Sequence, residues 1–568
     1  MPPKVAAPLA LTFALLASLL AGCGPAASQT AIPSKTSVTI VIPEDPPSFN
    51  PSVGDTGYDA LVLNLVMLGL TGIDPQGNIY PELAAELPTR ENGLVTVDES
   101  AGTMSVTWKL RTDIVWSDGV PFSADDVVFT WQAITDPVNG LWVRGIDAVD
   151  SLEKVDSQTV IFHYNSIYPS YLTQLGGEQL AIWPVHYCKI EQGFAAWDCG
   201  RQPLSTGPFV LKEWASGERM IFTRNEKYFQ PGKPAIDEVI IKIVPDDAVM
   251  KQMMLKGDAD IFMWVSETIA AEFQKSENVK VSLAADNRWA LRLWPNRAAR
   301  GEIDPLAHPH PIFADPQVRQ AIRMAIDVDT LIQTAFQGFS QPVWTEFHRA
   351  PYACDIARPE YNPQKAAALL EAAGWQDSDG DGVRECRACQ NAAPGALMQA
   401  ELATYPEYGE PMLLAQQLIA EMLKKIGLDL NLVTVEGSLM WADLASGGTE
   451  QSGNYDLDLV DDGYSGIDPS DFLTEIYTSS ASQPGNGMNF VRYQNADADA
   501  LIQQTYSLDE SQRKTAFCQL AQLFDQDLPN IPLVSIINAD AYNARLENII
   551  SNSNDVVTWN VADWQVRK

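Results

Sequence analysis

The chain is long and strongly acidic, and these two properties limit what it can be. It has 568 residues, of which 46% are hydrophobic, so it can bury large cores in several domains. Its formal net charge is −35, which argues against a nucleic-acid-binding surface because such a surface needs clustered Lys and Arg. Acidity of this size is expected of a protein that stays soluble outside the cell.

The N-terminus has the pattern of an export signal. Lys4 precedes an apolar run over residues 5–20, and the sequence LAGC, which ends at Cys23, resembles the lipobox of bacterial lipoproteins. We therefore predict that residues 1–23 form a lipoprotein signal peptide and that Cys23 is lipidated and anchors the mature protein. A transmembrane anchor needs about 20 apolar residues, more than this run supplies. Residues 24–36 are predicted to form a flexible tether.

The cysteines that follow predict disulfide bonds. There are six of them: Cys188, Cys199, Cys354, Cys386, Cys389 and Cys518. An even count in an exported chain favours pairing, and a bond between Cys188 and Cys199 would close a short loop. Cys386 and Cys389 could form a redox pair, half of a zinc site, or a bridge to Cys354. No second CxxC and no nearby His completes a tetrahedral zinc site, so no metal is expected.

The first predicted elements are a strand and a buried helix. Alternating β-branched residues predict a strand over 37–43, and the prolines of 44–51 predict an irregular loop after it. Residues 58–70 are apolar enough for a buried helix. A turn over 69–74 then leads into residues 78–84.

The stretch over residues 106–131 joins a strand, a turn and a capped helix. Residues 106–111 alternate between apolar and polar, as in a half-buried strand, and Asp118-Gly119 suits a tight turn. Ser123 is a natural N-cap, and carboxylates in the first turn meet the positive end of the helix dipole. A helix is therefore predicted to begin after Ser123.

Further strands and helices alternate along the rest of the chain. Residues 236–243 alternate as a strand should. Residues 316–327 have apolar positions three and four apart, which predicts an amphipathic helix. This order of elements indicates an α/β fold.

Several motifs resemble those of one protein family. The string LR-x5-SDG-x-PFSADDVVFTW, which ends at Trp131, is similar to the signature of the family 5 solute-binding proteins, the oligopeptide- and dipeptide-binding components of ATP-driven importers. Similar matches are STGP at 205–208, RN-x2-Y at 224–228, P-x-VRQA-x4-ID at 316–327, and the segment 362–375. The resemblance extends over roughly residues 37–550.

The resemblance implies an α/β, two-lobed periplasmic-binding-protein-like fold of type II (cluster C), with an extra small domain in the first lobe. The resemblance implies that residues 37–73, 202–292 and 530–568 form the core of lobe 1. It implies that residues 74–201 form the inserted small domain and residues 293–529 form lobe 2. The implied hinge lies at two crossings, near 291–296 and 529–537. A solute would bind between the lobes, which close on it and present it to the permease of an importer.

The implied partners are a small solute, expected to be a peptide, together with permease and ATPase subunits. The protein is expected to be a lipid-anchored monomer of the cell envelope, in the periplasm or on the outer face of the cytoplasmic membrane, without a cofactor. Enzyme motifs such as HExxH, GxSxG, a P-loop and GxGxxG do not occur in the sequence. No catalysis is therefore expected, and a secreted enzyme is the less favoured alternative.

One segment departs from the pattern of the peptide-binding relatives. In those relatives a GW or GY pair is followed by an Asp that pairs with the α-amino group of the peptide. Here Ile467 stands about where that Asp would be, between Gly463 and Asp468. Asp461, Asp462 or Asp468 could replace it, since a buried amine without a carboxylate is unfavourable by several kcal/mol. A non-peptide solute, such as an oligosaccharide or a nickel complex, is the alternative.

The candidate ligand-binding residues come from both lobes. They are the following: Phe49, Tyr58, Trp264, Tyr464, Asp462 and Asp468. Residues 377–382, of sequence DSDGDG, resemble the start of a calcium loop, but Ala388 occupies the twelfth position, where a bidentate Glu would be needed. A polar hairpin turn is therefore expected there.

Overall fold

The structure is a computed structural model, and it describes residues 36–49, 57–139, 145–176, 180–188, 198–284, 289–464 and 466–567. The predicted signal peptide, Cys23 and almost all of the tether lie outside these residues. Among the described residues no helix is both long and apolar enough to cross a membrane.

The strands run in chain order as follows: β1 Ser37–Ile42, β2 Thr71–Ile73, β3 Ile79–Pro81, β4 Val95–Asp98, β5 Thr103–Lys109, β6 Val149–Asp156, β7 Thr159–Tyr164, β8 Phe209–Ala215, β9 Arg219–Arg224, β10 Glu238–Ile243, β11 Ile261–Phe262, β12 Val279–Ala284, β13 Ala290–Pro295, β14 Trp375–Gln376, β15 Glu385–Cys386, β16 Gln399–Thr404, β17 Asp429–Thr434, β18 Leu457–Asp462, β19 Ile531–Ser535, β20 Asn538–Asn543, β21 Leu546–Glu547 and β22 Gln565–Val566.

The α-helices are α1 Tyr58–Val66, α2 Ala124–Thr135, α3 Asp247–Lys256, α4 Glu267–Phe273, α5 Pro316–Ala325, α6 Val328–Thr334, α7 Pro363–Ala372, α8 Glu410–Lys424, α9 Gly437–Met440, α10 Ser470–Tyr477, α11 Ala496–Gln504 and α12 Glu510–Asp527.

A seven-stranded sheet of order β12-β20-β11-β1-β10-β9-β8 forms the centre of what we call the first lobe. Strand β1 pairs in parallel with β10 and β11, while the other pairs are antiparallel. Ile40 and Val41 of β1 point to opposite faces of the sheet, and both are fully buried, as expected of a central strand covered on both faces.

A five-stranded sheet of order β17-β16-β18-β13-β19 forms the centre of the second lobe. Strand β16 is parallel to β17 and β18, and β13 is antiparallel to β18 and β19. Helix α5 packs against α7, and α8 covers β16 and β17. The amphipathic helix predicted over 316–327 is α5, which ends two residues earlier than expected.

A separate antiparallel sheet of order β4-β5-β7-β6 lies in what we call the small domain. Strand β5 alternates between half-buried and buried residues, as its sequence predicts. The predicted N-cap is confirmed: the Asp125 amide donates to Ser123 Oγ at 3.3 Å, and the Ser123 amide donates to Asp126 Oδ2 at 2.9 Å. This reciprocal capping box satisfies two amides at the start of α2.

Helix α1 is shorter than the helix predicted over 58–70. It ends at Val66 because the chain after it pairs with Leu175 and Ile182: the Leu70 amide donates to Leu175 O, and the Ile182 amide donates to Leu68 O. A Cβ at Gly69 would lie 2.6 Å from the Cα of Gly176. The long-range pairing therefore replaces the last turn of the predicted helix.

The chain changes from one sheet to the other between β12 and β13 and between β19 and β20. The predicted boundaries at 292/293 and 529/530 therefore fall a few residues away from the change of sheet, because 290–292 and 531–535 belong to strands of the second sheet. Only residues 536 and 537 separate β19 from β20.

Three disulfides join Cys188 to Cys199, Cys354 to Cys518, and Cys386 to Cys389. The suggested bridge from Cys354 to the CxxC pair is wrong, because the sulfur of Cys354 is bonded to Cys518. The alternative that the CxxC pair forms half of a zinc site also fails here, since its two sulfurs are bonded to each other.

Candidate binding cleft

The carboxyl ends of the parallel strands in both lobes meet at one cavity. In open α/β sheets, ligands bind outside the carboxyl ends of parallel strands. Residues after β10 and β11 and residues after β16 together line a cavity of about 600 Å³, which also touches the 536–537 crossing. This volume is within the range of small-molecule sites.

The first lobe contributes Asp247 and residues 264–269 to this cavity, and the second lobe contributes Ala335, Gln337, residues 408–411 and Leu414. Asp247, Glu267 and Glu410 are the first residues of α3, α4 and α8. Each follows the carboxyl end of a strand after a short loop. The cavity therefore combines aromatic side chains with carboxylates.

Trp264 and Tyr58, both predicted as ligand contacts, lie together at the edge of the first lobe. Their ring centroids are 5.5 Å apart, and Trp264 lines the cavity. Trp264 has a φ of 56°, and its amide donates to Asp540 Oδ1 at 3.2 Å. Burial, with smaller contributions from Glu44 and Asp247, raises the pKa of Tyr58 to about 12. Tyr58 therefore stays a neutral phenol.

Gly57 allows this arrangement. Its φ is 70°, a left-handed conformation that L side chains rarely adopt. A Cβ at this position would lie 2.0 Å from Cη2 of Trp264, so any other residue would displace the indole. The close approach of the backbone fixes the Trp264 ring beside Tyr58.

The prediction that Phe49 contacts the ligand is not supported by its position. Its side chain is fully buried and packs edge-on against Trp214 and Phe222, with centroids 5.3 and 6.1 Å away. The Phe49 amide donates to Gly200 O at 2.8 Å. Phe49 is therefore part of the core of the first lobe.

Asp468 is occupied by a partner within its own lobe. Its Oδ2 lies 2.5 Å from Arg513 Nη2, and both side chains are at most 10% exposed. Its Oδ1 accepts hydrogen bonds from the amide and hydroxyl of Ser470 at 3.0 and 2.8 Å. Asp468 thus holds the start of α10, and a ligand amine would have to compete with Arg513.

Tyr464 is buried to 7% exposure, and its ring lies 5.6 Å from that of Phe472. It lies in the loop after β18 but is packed on α10. Ile467, which stands about where the relatives have their Asp, lies in the same loop: a Cβ at Gly77 of the first lobe would be 3.4 Å from its Cγ2. The loop therefore approaches the opposite side of the cleft through an apolar residue.

Asp462, one of the predicted acids, has a carboxylate oxygen that accepts no hydrogen bond from the described residues. Its Oδ1 accepts the Gly463 amide at 2.7 Å, and its Oδ2 is buried without a hydrogen-bond partner among the described residues. Burial raises the pKa of Asp462 to about 7, opposed by the charge of Arg292. Burial also raises the pKa of the neighbouring Asp461 to about 6. Both acids lack a full counter-charge at neutral pH.

Arg292 itself is not available to a ligand. It is fully buried and bonds through Nη1 to Glu346. Glu346 also accepts from Tyr477 Oη at 2.6 Å, and Asn530 donates to the same Tyr477 oxygen at 2.5 Å. This network joins β13, α10 and the segment before β19 inside the second lobe.

Contacts between the lobes close the cleft. Tyr168 of the small domain donates from Oη to Asp471 Oδ2 of the second lobe at 2.7 Å. Tyr506, which belongs to the second lobe as Asp471 does, donates to the other oxygen of Asp471, also at 2.7 Å. Arg349 of the second lobe donates to Ser553 Oγ at 3.0 Å. Sequence patterns gave no signal for these contacts, because each joins residues more than 30 positions apart.

The acidic loop at 377–382 forms the turn between β14 and β15, as the hairpin prediction states. Asp377 accepts amides of Gly380 and Gly382 at 2.8 and 3.2 Å. The carboxylates of Asp377, Asp379, Asp381 and Glu385 come within 4.8 Å of one another. Glu385 is at the ninth position of this loop, not at the twelfth, where a calcium loop has its bidentate Glu.

Two lobes with a cavity between them, closed by contacts across it, define the class of two-lobed solute-binding proteins. The chain belongs to the family described as bacterial extracellular solute-binding proteins, family 5 Middle, whose model matches residues 78–484. This match confirms the resemblance to the family 5 solute-binding proteins.

Individual relatives agree with this family. Oligopeptide-binding protein AppA of Bacillus subtilis (strain 168) is 24% identical over 506 residues, which cover 85% of this chain and 83% of that protein. The structure of AppA from Bacillus subtilis in complex with a nonapeptide has 23% identity and a TM-score of 0.68, covering 94% of this chain and 100% of that one. NikZ from Campylobacter jejuni in complex with Ni(L-His) has 23% identity and a TM-score of 0.71, covering 93% and 99%. These structures share the fold.

Proposed function

We propose that this protein captures a peptide in the cleft between its lobes and delivers it to the permease of an ATP-driven importer. The observation that carries the proposal is the cavity of about 600 Å³ at the carboxyl ends of the parallel strands of both lobes. The family match and the AppA relative, which is named for oligopeptide binding, support a peptide as the solute.

Within this proposal the two lobes have different roles. The first lobe offers the ring of Trp264, which lines the cavity beside Tyr58 and can cover apolar side groups, and the second lobe offers Glu410, which lines the cavity and can accept a hydrogen bond from an amine. Asp462 has a buried oxygen without a partner among the described residues but does not line this cavity, so its contact with a solute amine stays a prediction. Closure is stabilised by the Tyr168 to Asp471 hydrogen bond. Binding free energy would thus be used to hold the closed arrangement that a permease recognises.

The envelope location is also part of the proposal. The lipobox that ends at Cys23 supports a lipid anchor, and several acyl chains, at about 0.8 kcal/mol per buried CH₂, would hold the protein at the membrane. The protein acts as a monomer and a binder, with the ATPase and permease supplying transport. A metal complex is the second candidate solute, because the NikZ structure matches about as well as that of AppA.

The full chain, purified in mild detergent, tests the proposal by native mass spectrometry followed by identification of the molecules released on denaturation. We expect short peptides, and thermal stabilisation by them: a ligand at 100 times its Kd adds about 2.7 kcal/mol. A bound metal complex without peptide would select the second candidate, and cleavage of added peptide would indicate an enzyme.

A matched pair of variants locates the site. Trp264→Ala should weaken peptide binding at least tenfold, because it removes an aromatic wall of the cavity. Trp559→Ala removes a half-buried indole of the same lobe that does not line this cavity, and its binding should be unchanged. Equal losses in both variants would contradict binding between the lobes.

A further inference from the structure

The segments that surround the cleft carry charge of one sign. Each segment follows the carboxyl end of one of the strands β1, β10, β11, β16, β17 and β18. In that order the segments are residues 43–49, 244–247, 263–268, 405–411 and 435–441, and, for β18, the last two residues of the strand together with the loop after it, 461–464 and 466–469. Together they contain eleven Asp and Glu and no Lys, Arg or His. The whole chain has 73 acidic and 38 basic residues, so its composition alone would make roughly a third of these charges basic.

Three of these carboxylates line the cavity itself. They are Asp247, Glu267 and Glu410, and no described lining residue is Lys, Arg or His. Asp247 and Glu267 belong to the first lobe and Glu410 to the second, so a bound solute would meet negative charge from both sides. Among the described residues none of the three forms an ion pair, in contrast to Asp468, which Arg513 neutralises.

The environment of these acids also indicates a missing counter-charge. Burial, followed by the charge of Asp246, raises the pKa of Asp247, and burial raises the pKa of Glu267. Across the cavity, burial and then Glu267 raise the pKa of Tyr408 above its usual range. A cation placed between these groups would lower all three pKa values and so would bind favourably.

The three acids are at the first positions of helices, where a carboxylate also interacts with the helix dipole. Free helix N-termini would attract the carboxylate of a solute, but here each start already carries a negative side chain. An anionic solute is therefore disfavoured at this cavity. Trp264 adds an aromatic face, which attracts ammonium and guanidinium groups.

A metal ion does not fit this arrangement as well as an organic cation. In the described part of the chain, the carboxylates close enough to ligate one ion are those around Asp377, outside the cleft. The cavity of about 600 Å³ holds its acids on separate helices and has room for a solute of several heavy atoms.

We infer that the solute of this protein presents ammonium or guanidinium groups to the cavity formed by Asp247, Glu267, Glu410 and Trp264. The inference rests on the proposed function, since it names the chemical class of the captured solute. A basic peptide or a free polyamine would supply this chemistry.

Calorimetric titration of the full chain in detergent tests the inference with three peptides of one length, Ala-Lys-Ala-Lys-Ala, Ala-Gln-Ala-Gln-Ala and Ala-Glu-Ala-Glu-Ala, and with spermidine. We expect the Lys peptide to bind about tenfold or more tighter than the Gln peptide, with the Glu peptide weakest. The preference should shrink as salt is raised, because the charges are partly exposed.

A triple variant, Asp247→Asn, Glu267→Gln and Glu410→Gln, should reduce the preference for Lys over Gln to near unity while retaining binding of the Gln peptide. Its control, Glu91→Gln, Asp258→Asn and Glu421→Gln, removes three exposed acids outside the cavity and should keep the preference. If the acids served only the helix dipoles, the triple variant would lose stability but keep the preference, and the inference would be overturned.

The outcomes separate this inference from the proposed function. Equal binding of the three peptides would overturn the inference and leave peptide capture intact. Binding of spermidine without any peptide would support the cationic class and refute peptide as the solute. Binding of the Lys peptide but not of spermidine would identify a basic peptide, and binding of the Glu peptide alone would refute the inference.

Discussion

Replacing Glu450 with Gln is expected to stabilise the protein at neutral pH relative to acidic pH. Glu450 and Asp458 are fully buried in the second lobe, and none of their four carboxyl oxygens has a hydrogen-bond donor among the described residues. Burial and then the charge of Asp458 raise the pKa of Glu450 well above its usual range. Burial and then Glu401 raise the pKa of Asp458. The two carboxyl groups therefore share a proton at neutral pH.

The unfolded chain gives the sign and size of the effect. Unfolded Glu titrates near pH 4.5, so between pH 5 and 7 the folded protein keeps a proton that the unfolded chain has released. The stability contributed by the pair is complete at low pH and falls as pH rises towards the folded pKa. One proton corresponds to about 1.4 kcal/mol per pH unit, or roughly 3 kcal/mol over these two units.

Urea unfolding of wild type and the Glu450→Gln variant at several pH values measures this difference. The amide needs no proton and can donate to Asp458, so the two proteins should be nearly equal at pH 5, and the variant should be more stable by about 2–3 kcal/mol at pH 7. Glu421→Gln, an exposed site on α8, should give a difference that does not change with pH. A constant difference for Glu450→Gln would refute the shared proton.

Contacts at the cleft give three further tests. Tyr168→Phe removes a hydrogen bond to Asp471 that contributes about 1–3 kcal/mol, so calorimetry should show at least fivefold weaker solute binding. Tyr506→Phe removes a hydrogen bond to the same acceptor within one lobe and should leave the affinity unchanged. Equal effects of the two substitutions would argue against a role of Tyr168 in closing the cleft. Asp468→Asn breaks the buried ion pair with Arg513 and should lower the free energy of unfolding by about 3 kcal/mol without loss of affinity for the solute. Normal stability together with lost solute binding would place Asp468 in the binding site. Affinity for a basic peptide should rise from pH 6 to 8 as Asp462, with a pKa of about 7, loses its proton. Asp462→Asn should make the affinity independent of pH over this range. A dependence on pH that survives the substitution would exclude Asp462 as the titrating group.

Local sequence patterns predicted those parts of the fold that depend on near neighbours. The capping box of Ser123 involves residues within three positions, so its sequence is sufficient to predict it. The end of α1 at Val66 depends on pairing with Leu175 and Ile182, more than 100 positions away, and the apolar run after Val66 contains no sign of that pairing.

The candidate site was harder to predict for the same reason. Phe49 and Trp264 both follow strands of the first sheet, but only the packing of Trp214 and Phe222 on Phe49 shows that this ring belongs to the core. Asp468 has the right spacing for an amine contact, and its partner Arg513 lies on a helix 45 positions later. A usable signal was present in the carboxylates that follow the strand ends, such as Glu267 and Glu410.

The two-residue connection between β19 and β20 limits how the lobes can move. Ile536 and Ile537 are the whole of one crossing, and the Ile536 amide donates to Trp289 O, beside the other crossing, at 2.9 Å. Two short, mutually bonded links allow rotation but little sliding. The lobes would therefore adopt the same relative orientation around solutes of different lengths. A membrane partner would then meet the same outer surface whichever solute is bound.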